Sequence, residues 1–222
     1  MKIFLKKVWF CLKRIFNMKK TIYTFYGIRL FETFVFTTAI WSFFFTDYLH
    51  FTLGQAIFLI TFSSIISAFF EVPSWAWADR FWRKKLFLIW TFLVIIELLF
   101  WLFTKNFYFF ILAEITAWIW SAIMSGNLEA LVHDKLEEEW KEKEFKNITA
   151  NSYSAIFVWR ALASSVSGFL FILNPTLPVL LTLVSYVIIF LLTLNLDEPK
   201  QVLSEHKDNF SHLKETLIFL KC

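Results

Sequence analysis

Apolar residues run through this chain in long blocks, and short polar stretches separate the blocks. A helix needs about 20 apolar residues to cross the ~30 Å hydrocarbon layer of a bilayer. Blocks with that length and few charges predict six spans, at about 28–46, 53–73, 86–103, 107–132, 148–173 and 177–195. The connections are short: 47–52, a hinge at 74–85, 104–106, a charged loop at 133–147, and 174–176 leading to Pro178. Residues 1–27 form a basic N-terminal segment. Apolar residues at 4, 5, 8, 9, 12, 15 and 16 have helical spacing there, as in a helix lying on an anionic leaflet. A start at Met18, ahead of Lys19-Lys20, is the plainer reading of the same stretch. Charges interrupt its apolar run and no small-residue cleavage site follows, so it is not a cleavable signal peptide. After the sixth span, Leu196-Asp197-Glu198-Pro199 leads into a tail at 196–222. Leu203, Phe210, Leu213, Leu217 and Leu220 give that tail an amphipathic helical pattern that stops without a cap, as if the connector were truncated.

Composition agrees with the pattern. The chain is 58% hydrophobic and 21% aromatic, with a mean hydropathy of +0.60. The reading is an all-α, multi-pass membrane protein. The net charge of +4 matters less than its placement. Eight Lys and Arg lie up to Arg29, four in the 74–85 hinge and four in the 133–147 loop. The other three connections hold none, one (Lys105) and none. Positive residues stay on the cytoplasmic side, so both termini are expected in the cytoplasm and the protein in the cytoplasmic membrane. The six acidic residues of 133–147 do not reverse this, because Asp and Glu count little in the rule.

Chemistry that needs a catalytic cluster finds no support. Cys11 and Cys222 make neither a metal nor a redox spacing. His50, His133, His206 and His212 are scattered, and no Gly-rich phosphate loop is present. The expectation is no enzyme, no cofactor, no metal and no nucleic-acid partner. Asn147-Ile-Thr149 matches a glycosylation sequon, but it faces the cytoplasm and reads as a helix start.

The hinge carries the most specific pattern. Glu71-Val-Pro-Ser-Trp75-Ala-Trp-Ala-Asp79-Arg80-Phe-Trp82-Arg83-Lys84-Lys85 resembles the loop signature G-x-x-x-D-R-x-G-R-[RK]-[RK] of the major facilitator superfamily, found between its second and third helices. Asp79, Arg80, Arg83, Lys84 and Lys85 match. Trp75 and Trp82 stand at the two glycine positions. A second stretch, from Glu114 through Trp118, Trp120, Gly126 and Glu129 to Asp134, resembles the fourth helix of many bacterial members. Drug/proton antiporters have an Arg where Glu114 stands, and their fifth-helix Gly-Pro pair is not visible in 148–173. The resemblance implies the N-terminal six-helix half of that fold, followed by its connector.

It further implies secondary active transport of a small solute by alternating access, coupled to a proton. The partners implied are the bilayer, the solute, and either a C-terminal six-helix half or a second copy. Asp79, Arg80, Arg83 and Lys84 would form an inner gate with Glu129 and Asp134. Glu32, Glu97, Glu114 and Arg160 fall at depth within the spans. A charge there costs on the order of 3 kcal/mol on insertion scales and marks function or a buried pair. Glu32, Glu114 and Arg160 are the candidate substrate or proton site. The bland alternative is a structural pair such as Arg160 with Glu114. Glu97 stands apart, in a span that is otherwise uniformly apolar. The rival function is a six-helix scaffold or assembly protein that transports nothing, and a membrane-embedded enzyme is third.

One compositional feature bears on the hinge. The chain has 11 Trp and only 4 Gly, against average Gly usage of about 7%. Membrane helices normally hold more Gly than soluble ones. Trp75, Trp82, Trp118 and Trp120 occupy positions where the resemblance calls for Gly. These four are therefore read as glycines in the native chain, encoded by UGA, which some bacterial lineages decode as Gly. The alternative is a chain that is simply rich in aromatics, with 30 Phe besides.

Overall fold

The computed structural model describes residues 20–78, 83–124, 127–138 and 142–196. Every regular element among them is helical. We number the helices α1 (20–31), α2 (Thr37–Phe43), α3 (Leu53–Ala78), α4 (Arg83–Phe103), α5 (Phe107–Met124), α6 (Asn127–Glu138), α7 (Glu142–Leu173) and α8 (Leu177–Leu194). Local sequence sets several of the ends. Thr52 and Gln55 form a reciprocal cap on α3: Thr52 N donates to Gln55 Oε1 at 2.9 Å and Gln55 N to Thr52 Oγ1 at 3.3 Å. Asn106 Oδ1 accepts from Tyr108 N at 3.0 Å and starts α5. Pro178 occupies the first turn of α8, where its missing N–H has no intrahelical partner to lose. Lys84 Nζ donates to the Leu194 and Leu196 carbonyls at 2.9 and 2.5 Å, closing the other end of α8.

Arg83–Phe103, Glu144–Leu173 and Leu177–Leu194 are long and apolar enough to cross a membrane; Leu53–Ala68 is a shorter apolar stretch. Four expected boundaries differ. The span expected at 28–46 is two helices, broken at 32–36, followed by a π-helical turn at Phe44–Tyr48. Helix continues from the fourth span into the 133–147 loop, as α6 to Glu138. α7 already begins at Glu142, so Asn147 lies within a helix and does not start one. The 74–85 hinge is helical up to Ala78 and again from Arg83. The N-terminal segment up to residue 19 and the tail from 197 lie outside the described residues.

The principal helix pairs are α3 with α5, α4 with α8 and α5, and α2 with α7. Two apolar cores form along the bundle. One gathers Phe25, Ile28, Leu86, Phe87, Leu131, Val132, Ile148 and Ile189. It lies at the end that carries Arg29, Arg83–Lys85 and Asp134, called here the basic end. The other gathers Ile40, Phe44, Phe45, Phe51, Leu98, Trp101, Phe110 and Val179 at the far end. Its rings interlock: Trp101 lies 5.4 Å from Phe44 and 5.0 Å from Phe45. Large apolar side chains such as Phe157, Phe169, Leu180 and Val184 stay exposed on the outside. Water would penalise such a surface; hydrocarbon would not.

Candidate functional site: a polar layer between two apolar cores

Between the two cores lies a layer of buried polar side chains: Thr33, Ser63, Thr91, Glu114, Ser167, Thr182 and Ser185. Tyr186 packs on both cores and marks the level. It stands roughly 14 Å along α8 from Leu177 at 1.5 Å per residue, about half of a membrane crossing.

The break between α1 and α2 opens onto this layer. Glu32, Thr33 and Phe34 still bond back to Ile28, Leu30 and Phe31. Phe36 then finds its partners on other helices. Its N–H donates to Thr182 Oγ1 of α8 at 3.0 Å, and its carbonyl accepts from Ser167 Oγ of α7. Hydrocarbon supplies no partner for a freed peptide group, so non-helical backbone at this depth must be held by protein or water. Two hydroxyls do that here.

Around the break, Arg29 Nη1 contacts Glu32 Oε2 at 2.8 Å. The same guanidinium pairs with Glu129 on α6, and Tyr153 Oη of α7 donates to Glu129 at 2.7 Å. Arg29 also lies over the rings of Phe25 and Tyr153, at 5.5 Å from each. It is a hub joining α1, α6 and α7. Arg160, at mid-length of α7, is exposed, and its charge acts on Glu32 and Tyr186.

Glu114 is 4% exposed. Its Oε2 accepts from Trp118 Nε1 at 2.7 Å and Ser63 Oγ at 3.2 Å. Glu97 of α4 lies within electrostatic reach of Glu114, and Tyr186 feels Glu97, Glu32 and Arg160 alike. Glu32 is bonded to Arg29 and lies within electrostatic reach of Arg160 and Tyr186, and Glu97 lies within reach of Glu114 in the same layer. Arg160 acts on Glu32; the partners of Glu114 are Ser63, Trp118 and Glu97.

The expected gate is divided. Arg83 Nε meets Asp134 Oδ2 at 3.1 Å. Glu129 pairs with Arg29 instead. Lys84 caps α8 and has no ion pair with Glu129 or Asp134 among the described residues. Asp79, Arg80 and Trp82 lie outside the described residues.

Sequence reasoning misses Arg29, which reads as a topology charge, and Tyr186; it names Glu97 at depth but sets it apart from the candidate site. The recurring Glu-x-x-x-Trp of Glu97/Trp101 and Glu114/Trp118 was a usable signal for Glu97. Nothing in the local sequence flags Tyr186. His133, Asp134 and Glu137 also bring ligand atoms within 4.8 Å of one another at the basic end. That grouping was not expected, and Asp134 is already engaged by Arg83. Between α2 and α7, a groove of about 430 Å³ is lined by Ala39, Ile40, Phe43, Ser164, Ser165 and Gly168. Compared with known proteins, the chain matches no family model, no curated protein and no solved structure.

Proposed function

We propose that this chain is the first six-helix half of a secondary transporter of major facilitator type, moving a small solute across the cytoplasmic membrane by alternating access with proton coupling. The observation that carries the reading is the broken first span at mid-depth, beside Glu32, Arg160 and Tyr186. Interrupted helices with polar side chains near the midplane suit solute binding. Arg160 supports it further. An exposed guanidinium at mid-length of α7 is unfavourable against lipid, by on the order of 3 kcal/mol on insertion scales. A polar cavity shared with a second half, or with a second copy, removes that penalty. Arg83–Asp134 and Arg29–Glu129–Tyr153, both at the basic end, are the contacts that would open and close.

A scaffold would leave the layer sealed, and accessibility separates the two readings. Single cysteines at Phe34 and Ser164, in a chain lacking Cys11 and Cys222, are probed in sealed vesicles with a membrane-impermeant maleimide. Transport predicts labelling from both sides, with a preference that switches when the proton gradient is reversed. Labelling from neither side, or from one side whatever the gradient, means a scaffold.

A further inference from the structure

The transport reading does not use Glu97. α4 and α5 run antiparallel through the turn at 104–106. Ring contacts fix their register: Trp101 lies 6.3 Å from Phe110, and Phe100 stacks on Phe109 at 6.2 Å. One helical turn farther from the connection on each helix, Glu97 comes level with Glu114. The two carboxyls act on each other accordingly. Glu114 Oε2 is held by Trp118 and Ser63, while Oε1 is buried and has no partner. A buried acceptor left without a donor is destabilising, and a buried carboxylate more so. Glu97 is half-buried, and a second carboxylate level with the buried Glu114 strongly disfavours charge on both at once.

We infer that Glu97 and Glu114 hold one exchangeable proton between them and form a proton site distinct from the Arg29–Glu32 pair at the break. Among the described residues, the groups facing it are few. Ser63 comes from α3 and Trp118 from α5. Tyr186 of α8 feels Glu97, and also feels Glu32 of the first span and Arg160 of α7. Tyr186 thus lies within electrostatic reach of both groups. Loading forms an O–H bond on a carboxyl oxygen with a proton taken from water on one side. Release breaks that bond and returns the proton to water on the other side.

The role in coupling rests on the transport reading; the proton site does not. Dicyclohexylcarbodiimide reacts with protonated carboxyls in apolar surroundings, so the full-length protein in vesicles is labelled across a pH series and its peptides are read by mass spectrometry. No solute or gradient is applied. The expected result is at most one label per chain, on Glu97 or Glu114, absent from the double variant Glu97→Gln/Glu114→Gln. Replacing K⁺ by Na⁺ at fixed pH leaves it unchanged. Removing one member of the pair with Glu97→Gln changes the proton affinity at Glu114 by about tenfold or more, read as a shift of at least about one unit in the labelling midpoint. Absence of label at both residues at every pH overturns the site, as does an unmoved midpoint. Protection by Na⁺ at fixed pH overturns the proton assignment in favour of a sodium ion. A protein that labels as expected but moves no solute keeps the site and loses the transporter.

Discussion

Thr182→Val tests the break between α1 and α2 most directly. Valine keeps the shape of threonine and removes the hydroxyl, so the swap is not conservative where the hydroxyl is used. In the structure that hydroxyl accepts from Phe36 N at 3.0 Å and donates to Pro178 O at 2.8 Å. The Pro178 carbonyl keeps its place in the α8 ladder. Phe36 N–H has nothing to replace Thr182, because the chain around it is neither helix nor loop in water. An orphaned buried donor costs about 1–3 kcal/mol. Side-chain hydrogen bonds inside membrane proteins average nearer 0.6 kcal/mol when the group can find another partner. The expected loss for Thr182→Val is therefore about 1–3 kcal/mol, at the upper end if no water enters the break. Ser167→Ala removes the donor to the Phe36 carbonyl and should cost about 1 kcal/mol. Both hydroxyls serve one residue, so the double variant should lose less than the sum. Thr182→Ser keeps the hydroxyl and forfeits one methyl, worth about 0.8 kcal/mol. Unfolding of the full-length protein in mixed micelles, followed by circular dichroism, provides the measurement. A Thr182→Val protein as stable as the parent to within about 0.3 kcal/mol would refute the reasoning, since the break would then be held by something else.

Two further substitutions separate structural from gating contacts. Arg29→Gln leaves Glu32 without its nearest cation and Glu129 with Tyr153 alone, and should cost about 3–5 kcal/mol in the same unfolding assay. Arg29→Lys should recover only part of it, because one ammonium cannot span both carboxylates as the guanidinium fork does; full recovery would count against the hub. Asp134→Asn breaks a pair whose side chains are 23% and 35% exposed, so stability should change by less than about 1 kcal/mol. Solute flux in reconstituted vesicles should nonetheless fall, and unchanged flux removes Arg83–Asp134 from the gate.

The sequence carried the class of this fold clearly and its site only in part. Long apolar blocks can bury themselves only as helices in lipid, and α4 and α8 end close to where the pattern changes. The break at 32–36 was not legible. Its stretch, Glu32-Thr33-Phe34-Val35-Phe36, holds neither Pro nor Gly. The groups that stabilise it lie 131 and 146 residues away, at Ser167 and Thr182. Span-length counting fills such a gap with helix. The Arg83–Asp134 pair could be anticipated from opposite charges at neighbouring helix ends. Arg29–Glu129 could not, because Arg29 reads as one of many basic residues until folding buries it beside α6. Glu97 seemed isolated for the same reason. Its partner is across a hairpin, and only the length of the 104–106 connection and the ring register place the two carboxyls level.

The tryptophans bring sequence and structure into one test. Replacing glycine by an indole at a close helix crossing overpacks it, at ~1–3 kcal/mol or more per site. Such errors at 75, 82 and 120 together are hard to reconcile with selection. The side chains of Trp75, Trp82 and Trp120 lie outside the described residues. Trp101 and Trp118 separate two kinds of position. Trp101 is 4% exposed and fills the far core against Phe44, Phe45 and Phe110. Glycine there would leave a cavity costing about 3–5 kcal/mol, so position 101 should be a true tryptophan. Trp118 is 37% exposed and belongs to neither core, so overpacking does not apply there and the case for glycine at 118 rests on the resemblance. Among the described residues it bonds through the Nε1 donation to Glu114, which glycine would forgo. Glu114 Oε2 would then keep Ser63 alone, leaving the Glu97–Glu114 proton more of the carboxyl and the site intact. The prediction is glycine at 75, 82, 118 and 120, encoded by UGA, and tryptophan at 101, encoded by UGG. Peptide mass spectrometry of the protein purified from its native cells reads all five positions. Tryptophan at the first four would end the idea, and glycine at 101 would show that the far core is packed differently from the structure described.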